Sequence, residues 1–84
     1  MKIEMDGSTY TAETATGLIG QLKHQHWQMP EDGTAEDYIA VQGKFYKKVT
    51  GRKFNLPDAD TETRARAMFR EIAKLGAWDF TEDA

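Results

Sequence analysis

The chain contains no cysteine, so neither a disulfide nor a thiolate-held metal can supply stability, and folding must rest on burial of apolar surface. That usage fits a reducing, cytoplasmic setting. No stretch approaches the roughly 18 consecutive apolar residues of a membrane helix, and Met1 to Tyr10 show no apolar run behind a basic start. Neither a membrane span nor a signal peptide is expected. Internal repeats and low-complexity tracts are missing as well. "TGLIG" lacks the spacing and the lysine of a phosphate-binding loop, and the one serine, Ser8, falls in a predicted turn.

A metal site is not expected either. "HQH" places His24 and His26 two positions apart, about 200° around a helix, whereas shared ligation needs a spacing of three or four. His26 reads as a half-buried core histidine and His24 as an exposed one. The sequence therefore assigns no catalytic residue, no metal site and no cofactor, and a non-enzymatic protein is expected.

What remains is a chain of 84 residues, 39% of them hydrophobic, enough for one small core and too apolar for disorder. A single globular domain over 1–84 is expected, with 81–84 as an acidic tail. In "KIEMDGSTYTAE", Asp6-Gly7 suits a two-residue type I′ turn, in which both central residues take positive φ. The hairpin it closes pairs Met5 with Ser8, Glu4 with Thr9, Ile3 with Tyr10, Lys2 with Thr11 and Met1 with Ala12. Met1, Ile3, Met5, Tyr10 and Ala12 then share one face, covering a core, and polar residues take the other.

Three helices follow. The first, capped by Thr14 or Thr16, is predicted to run to about Met29, before Pro30, with Ala15, Leu18, Ile19, Leu22, His26 and Met29 on its apolar stripe. Thr34 opens the second, with Asp37 placed for a capping box, and Gly51 closes it as a left-handed cap. Its predicted inner stripe is Tyr38, Ile39, Gln42, Phe45, Tyr46 and Val49. "RKFNLP" is an extended connector that points Phe54 and Leu56 inward. Asp58, Asp60 or Thr61 caps the third helix, which buries Ala65, Met68, Phe69, Ile72 and Leu75 before Gly76. "AWDFT" alternates Trp78 and Phe80 on one face as a short strand that can join the hairpin. The fold class is α+β: a small antiparallel sheet packed on three helices in the order β-β-α-α-α-β.

The charge pattern is two-ended. Lys44, Lys47, Lys48, Arg52 and Lys53 fall within 43–53 with no acid, and removing these five charges from the net charge of −3 leaves −8 for the rest. "GKFYKKVTGRKF" suggests a nucleic-acid surface of interleaved rings and cations. On a helix, however, the lysines are expected on the solvated back and the rings of Phe45 and Tyr46 in the core, which segregates what single-strand binding would combine. Carboxylates gather at Glu31, Asp32, Glu36 and Asp37 and at Asp58, Asp60 and Glu62, both at helix starts, where capping is the ordinary reason for them. Glu62 is also placed to pair with Arg66 at i,i+4. Arg66, Arg70 and Lys74 form a basic ridge on the third helix. Trp27, at the margin of the first stripe, reads as a flank of the core or as an interface anchor.

Taken together, "KIEMDGSTYTAET", "LIGQLK", "EDYIAV", "TRARAMFREIAKLGA" and the acidic tail resemble small proteins encoded by bacterial prophages and mobile elements, of the anti-CRISPR type. The resemblance covers most of the chain and carries over no individual functional residue. It implies a stoichiometric binder in the cytoplasm of a bacterial host, such as an inhibitor that occupies a subunit of a CRISPR effector or another nucleic-acid-handling defence complex. The expected contact surface is acidic: Glu31, Asp32, Glu36, Asp37, Asp58, Asp60 and Glu62, facing a basic partner, with Trp27 as an aromatic anchor. The competing expectation is a nucleic-acid-binding regulator using Lys44, Lys47, Lys48, Arg52, Lys53, Arg66 and Arg70. A self-associating phage component is the third. No membrane partner is expected, and the chain is expected to be a monomer or a homodimer.

Overall fold

The computed structural model describes residues 1–23, 33–76 and 78–82. Among them the order is β1 (Lys2–Met5), β2 (Ser8–Thr11), α1 (Ala15–Leu22), α2 (Ala35–Thr50), α3 (Thr61–Lys74) and β3 (Asp79–Thr81). This is the expected β-β-α-α-α-β arrangement.

Asp6 and Gly7 take φ of 47° and 80°, the positive pair that a type I′ turn requires. The register follows from that turn: Met5 faces Ser8, Glu4 faces Thr9, Ile3 faces Tyr10 and Lys2 faces Thr11. The Ala12 N–H donates to the Met1 carbonyl at 3.0 Å, extending the pairing by one step. β3 joins the other side of β1, with Ile3 opposite Phe80, so the strand order is β2-β1-β3. One face carries buried Met1 and Ile3 with Met5, Tyr10 and Phe80 packed beside them. Glu4, Thr9, Thr11, Asp79 and Thr81 are exposed on the other.

The helices seat their apolar stripes on that sheet. Ala15, Leu18, Ile19 and Leu22 of α1, Tyr38 and Ile39 of α2, and Ala65, Met68, Phe69 and Ile72 of α3 make one continuous core. Phe69 is fully buried, with its ring centroid 5.3 Å from that of Phe80 and 6.1 Å from that of Trp78. It thereby ties the longest-range pairing, β3 on β1, to the helical layer. A side chain of this kind contributes about 1.5–3 kcal/mol by burial. Burial also pushes the Tyr38 phenol above its ordinary pKa range.

The helix ends match their predicted chemistry. The Thr14 hydroxyl accepts the Gly17 N–H at 3.0 Å. Thr34 and Asp37 complete a reciprocal capping box, at 3.1 and 2.9 Å. Asp60 caps α3 through the Thr63 N–H at 2.8 Å, and Gly51 sits at φ 76°, the left-handed C-cap. The connector lies close against α2 at Gly43, where a Cβ would stand in van der Waals contact 3.4 Å from the Phe54 ring, and the Phe54 ring is tilted against Tyr46 with centroids 4.4 Å apart.

Two expectations fail, and one lies outside the described residues. α1 ends at Leu22 with Lys23 as its cap; the predicted extension through His26 to Met29 and Pro30 lies outside the described residues, as do His24, Trp27, Glu31 and Asp32. Phe45 is 40% exposed and Val49 76% exposed, although both were placed on the inner stripe of α2. The buried residues Tyr38, Ile39, Gln42 and Tyr46 centre about 55° around the helix from Tyr38, which puts Phe45 about 75° off that centre, and Val49 lies in the last turn of the helix. Leu75 is 42% exposed because it is the C-cap of α3 rather than an interior position.

Candidate functional site

The described acidic residues of the expected contact surface are largely engaged within the fold. Glu36 accepts the Arg64 Nε–H at 2.8 Å, joining α2 to α3; Asp37 is held in the capping box and Asp60 caps α3. Hydrogen bonding from Thr63, first its side chain and then its backbone, keeps the Asp60 carboxyl below its ordinary pKa. Glu62 does the most. Its two oxygens accept the Ala15 and Thr16 N–H groups at 2.8 and 3.0 Å while Arg66 donates to it at 2.9 Å. Burial raises its pKa, yet these bonds outweigh burial and the net shift is downward. Of the described members of the acidic set, Asp58 takes part in no hydrogen bond or ion pair among the described residues.

The basic residues divide in the same way. On α3, Arg66 pairs with Glu62, Arg70 with Glu82 and Lys74 with Glu71. The Glu82 hydrogen bond raises the Arg70 pKa, and Arg70 lowers that of Glu82. Arg66 and Arg70 pair toward α1 and the end of β3, whereas Arg64 and Glu71 of the same helix pair toward α2. Arg66 and Arg70 therefore lie away from α2, whereas Lys74 is held by Glu71 on the α2 side. Lys44, Lys47, Lys48, Arg52 and Lys53 at the end of α2 are all exposed and take part in no ion pair among the described residues.

The same end of α2 also carries an apolar surface. Phe45, Tyr46 and Val49 of α2, Ile72 and Leu75 at the end of α3, and Trp78 before β3 line a shallow groove of about 170 Å³. The size is close to that at which an apolar cavity takes up a benzene ring. Its rim carries Glu71, which accepts the Tyr46 hydroxyl at 3.4 Å and the Lys74 ammonium at 3.2 Å. Phe45 and Lys48 are three apart on α2, and Val49 precedes Arg52 by three, so rings and cations share this end of the helix. The expected segregation of the two does not hold for Phe45.

The groove was not predicted as a site. Its residues were all read as core, because stripe membership is judged from one helix, whereas burial depends on what the neighbouring elements reach. The dual role of Glu62 had half a signal: its i,i+4 spacing to Arg66 was visible, its capture of the α1 amides 46 and 47 residues away was not.

No group of three or more metal-binding side chains gathers among the described residues, and none of their helices is long and apolar enough to cross a membrane. No known family, no curated protein and no solved structure matches the chain.

Proposed function

We propose that this chain is a non-enzymatic protein-binding module whose contact surface centres on Phe45, Val49 and Leu75. One observation carries the reading: three large apolar side chains, 40%, 76% and 42% exposed, stand around a single groove. Scattered exposed hydrophobics are ordinary, but a contiguous patch rimmed by polar groups marks an interaction surface. The acidic surface takes a supporting role. Glu36, Asp37, Asp60 and Glu62 are committed to caps and ion pairs, but they still contribute to a negative field, which steers association more than it adds affinity. The narrower reading, an inhibitor of a host nucleic-acid-handling complex of the anti-CRISPR kind, rests on the resemblance alone.

The test is a pull-down from bacterial lysate, with and without nuclease, using the wild-type chain and Val49→Asp. A captured protein that survives nuclease and is lost with Val49→Asp supports the reading. Capture indifferent to Val49→Asp removes the groove as the contact surface.

A second reading, a nucleic-acid-binding regulator, is favoured by the five exposed cations at the end of α2. It predicts binding that weakens steeply with salt, because each phosphate contact releases counterions. A fluorescence titration showing no binding to DNA or RNA at low salt ends it.

A further inference from the structure

We infer that the groove takes one large apolar side chain from an acidic segment of the partner protein. This rests on the protein-binding reading above and adds the chemistry of the occupant. The volume fits one anchor: about 170 Å³ between Tyr46, Ile72, Leu75 and Trp78 is space for a leucine or an aromatic ring, and buried anchors of that kind dominate interface energetics. The flanks fit acid. Lys48, three residues from Phe45 on α2, and Arg52, three residues past Val49, stand at this end of the helix without an acid between residues 43 and 53 and without an ion pair among the described residues, and the rim acid Glu71 is taken up by the Tyr46 hydroxyl and Lys74. Carboxylates on either side of the anchor would meet these cations, while the −8 carried by the rest of the chain turns such a segment away from other faces.

Two other occupants fit less well. A second copy docked through the same groove would form a two-fold contact, which sets each patch against itself and so brings the unpaired Lys48 and Arg52 of both copies together. Single-stranded nucleic acid needs several open ring faces for successive bases. Here Tyr46 is tilted against Phe54 and Trp78 is turned toward Phe69, leaving Phe45 as the most open ring of the groove.

The experiment pans the immobilised full chain against a displayed random-peptide library, then titrates the enriched peptide, synthesised with a fluorophore, by anisotropy. The inference predicts Leu, Phe or Trp flanked by Asp and Glu, and about a tenfold or greater loss of affinity, roughly 1.4 kcal/mol or more, with Val49→Asp. The Lys44→Glu/Lys48→Glu double variant should weaken binding several-fold and flatten its salt dependence. Leu75→Gln serves as a second groove variant, with melting curves confirming that each variant folds. Enriched peptides that lack acids, or binding indifferent to the lysine reversals, overturn the inference and leave the protein-binding reading standing. Failure of any peptide to enrich, together with an empty pull-down, overturns both. A DNA or RNA oligonucleotide that displaces the peptide, or a dimer seen by light scattering that Val49→Asp returns to monomer, also overturns it.

Discussion

Replacing Glu62 with alanine should loosen α1 from α3 although no apolar contact is lost. The carboxylate holds two amides of the first turn of α1 and the Arg66 guanidinium. A hydrogen bond to a charged group is worth about 1.5–3 kcal/mol when fully buried. The Glu62 side chain keeps 27% of its exposure and Thr14 still caps α1, so water recovers part of the loss. A cost of about 1–2 kcal/mol is expected, a fall in melting temperature of roughly 5–15 °C for a domain of this size. Glu62→Gln, which keeps an acceptor oxygen without the charge, should cost about half as much.

The pH dependence separates this mechanism from general disruption. The folded-state pKa of Glu62 is depressed: burial opposes ionisation, but the bonds from Thr16, Ala15 and Arg66 prevail. Its contribution is therefore fully present above the unfolded carboxyl pKa of about 4.3 and is lost as pH falls through the lower folded value. Thermal melts followed by circular dichroism should show wild type and Glu62→Ala well separated at neutral pH and converging in strong acid. Coincident curves at neutral pH, or a gap that persists undiminished in acid, would refute the reasoning.

Other substitutions probe separate parts of the fold. Gly51→Ala should lower stability by about 1–2 kcal/mol in a melt, purely through the left-handed backbone, because a Cβ at Gly51 meets nothing within 4 Å. Phe69→Ala, at a fully buried position, should cost about 3–5 kcal/mol, enough to leave a domain of this size largely unfolded in chemical denaturation at room temperature; a cooperative native-like transition would count against Phe69 as the link between β3 and the helices. Val49→Asp should shift the denaturation midpoint by less than about 1 kcal/mol, since Val49 is 76% exposed, and a larger loss would mean that it is buried after all.

Local chemistry was legible in the sequence where one short stretch contained it all. Asp6-Gly7 determined the hairpin register, Thr34 with Asp37 the start of α2, and Gly51 its end, because turns and caps are settled by residues a few positions apart. The layer order was legible too, since period-2 and period-3.6 patterns assign each side chain a face. The fate of Phe45, Val49 and Leu75 was not, because α3 and the connector decide which part of the α2 stripe is covered. For the same reason Glu62 read as a simple helix-start acid: its partners, Ala15 and Thr16, reach it only after α1 has packed on α3. Both misreadings concern surfaces weighed for partner contact. A patch that looked like a segregated helix end has an open ring beside Lys48, and the described carboxylates of the expected acidic contact face, Asp58 apart, are spent on the fold.

The central claim is that partner contact occurs at the end of α2 and α3 rather than over the acidic helix starts. The most direct measurement is an amide chemical-shift map of the ¹⁵N-labelled chain titrated with the enriched peptide. The account predicts shifts concentrated at Phe45, Lys48, Val49, Leu75 and Trp78, with Asp37, Asp58 and Asp60 unmoved. Shifts gathered around Asp37, Asp58 and Asp60, with the groove residues silent, would contradict it.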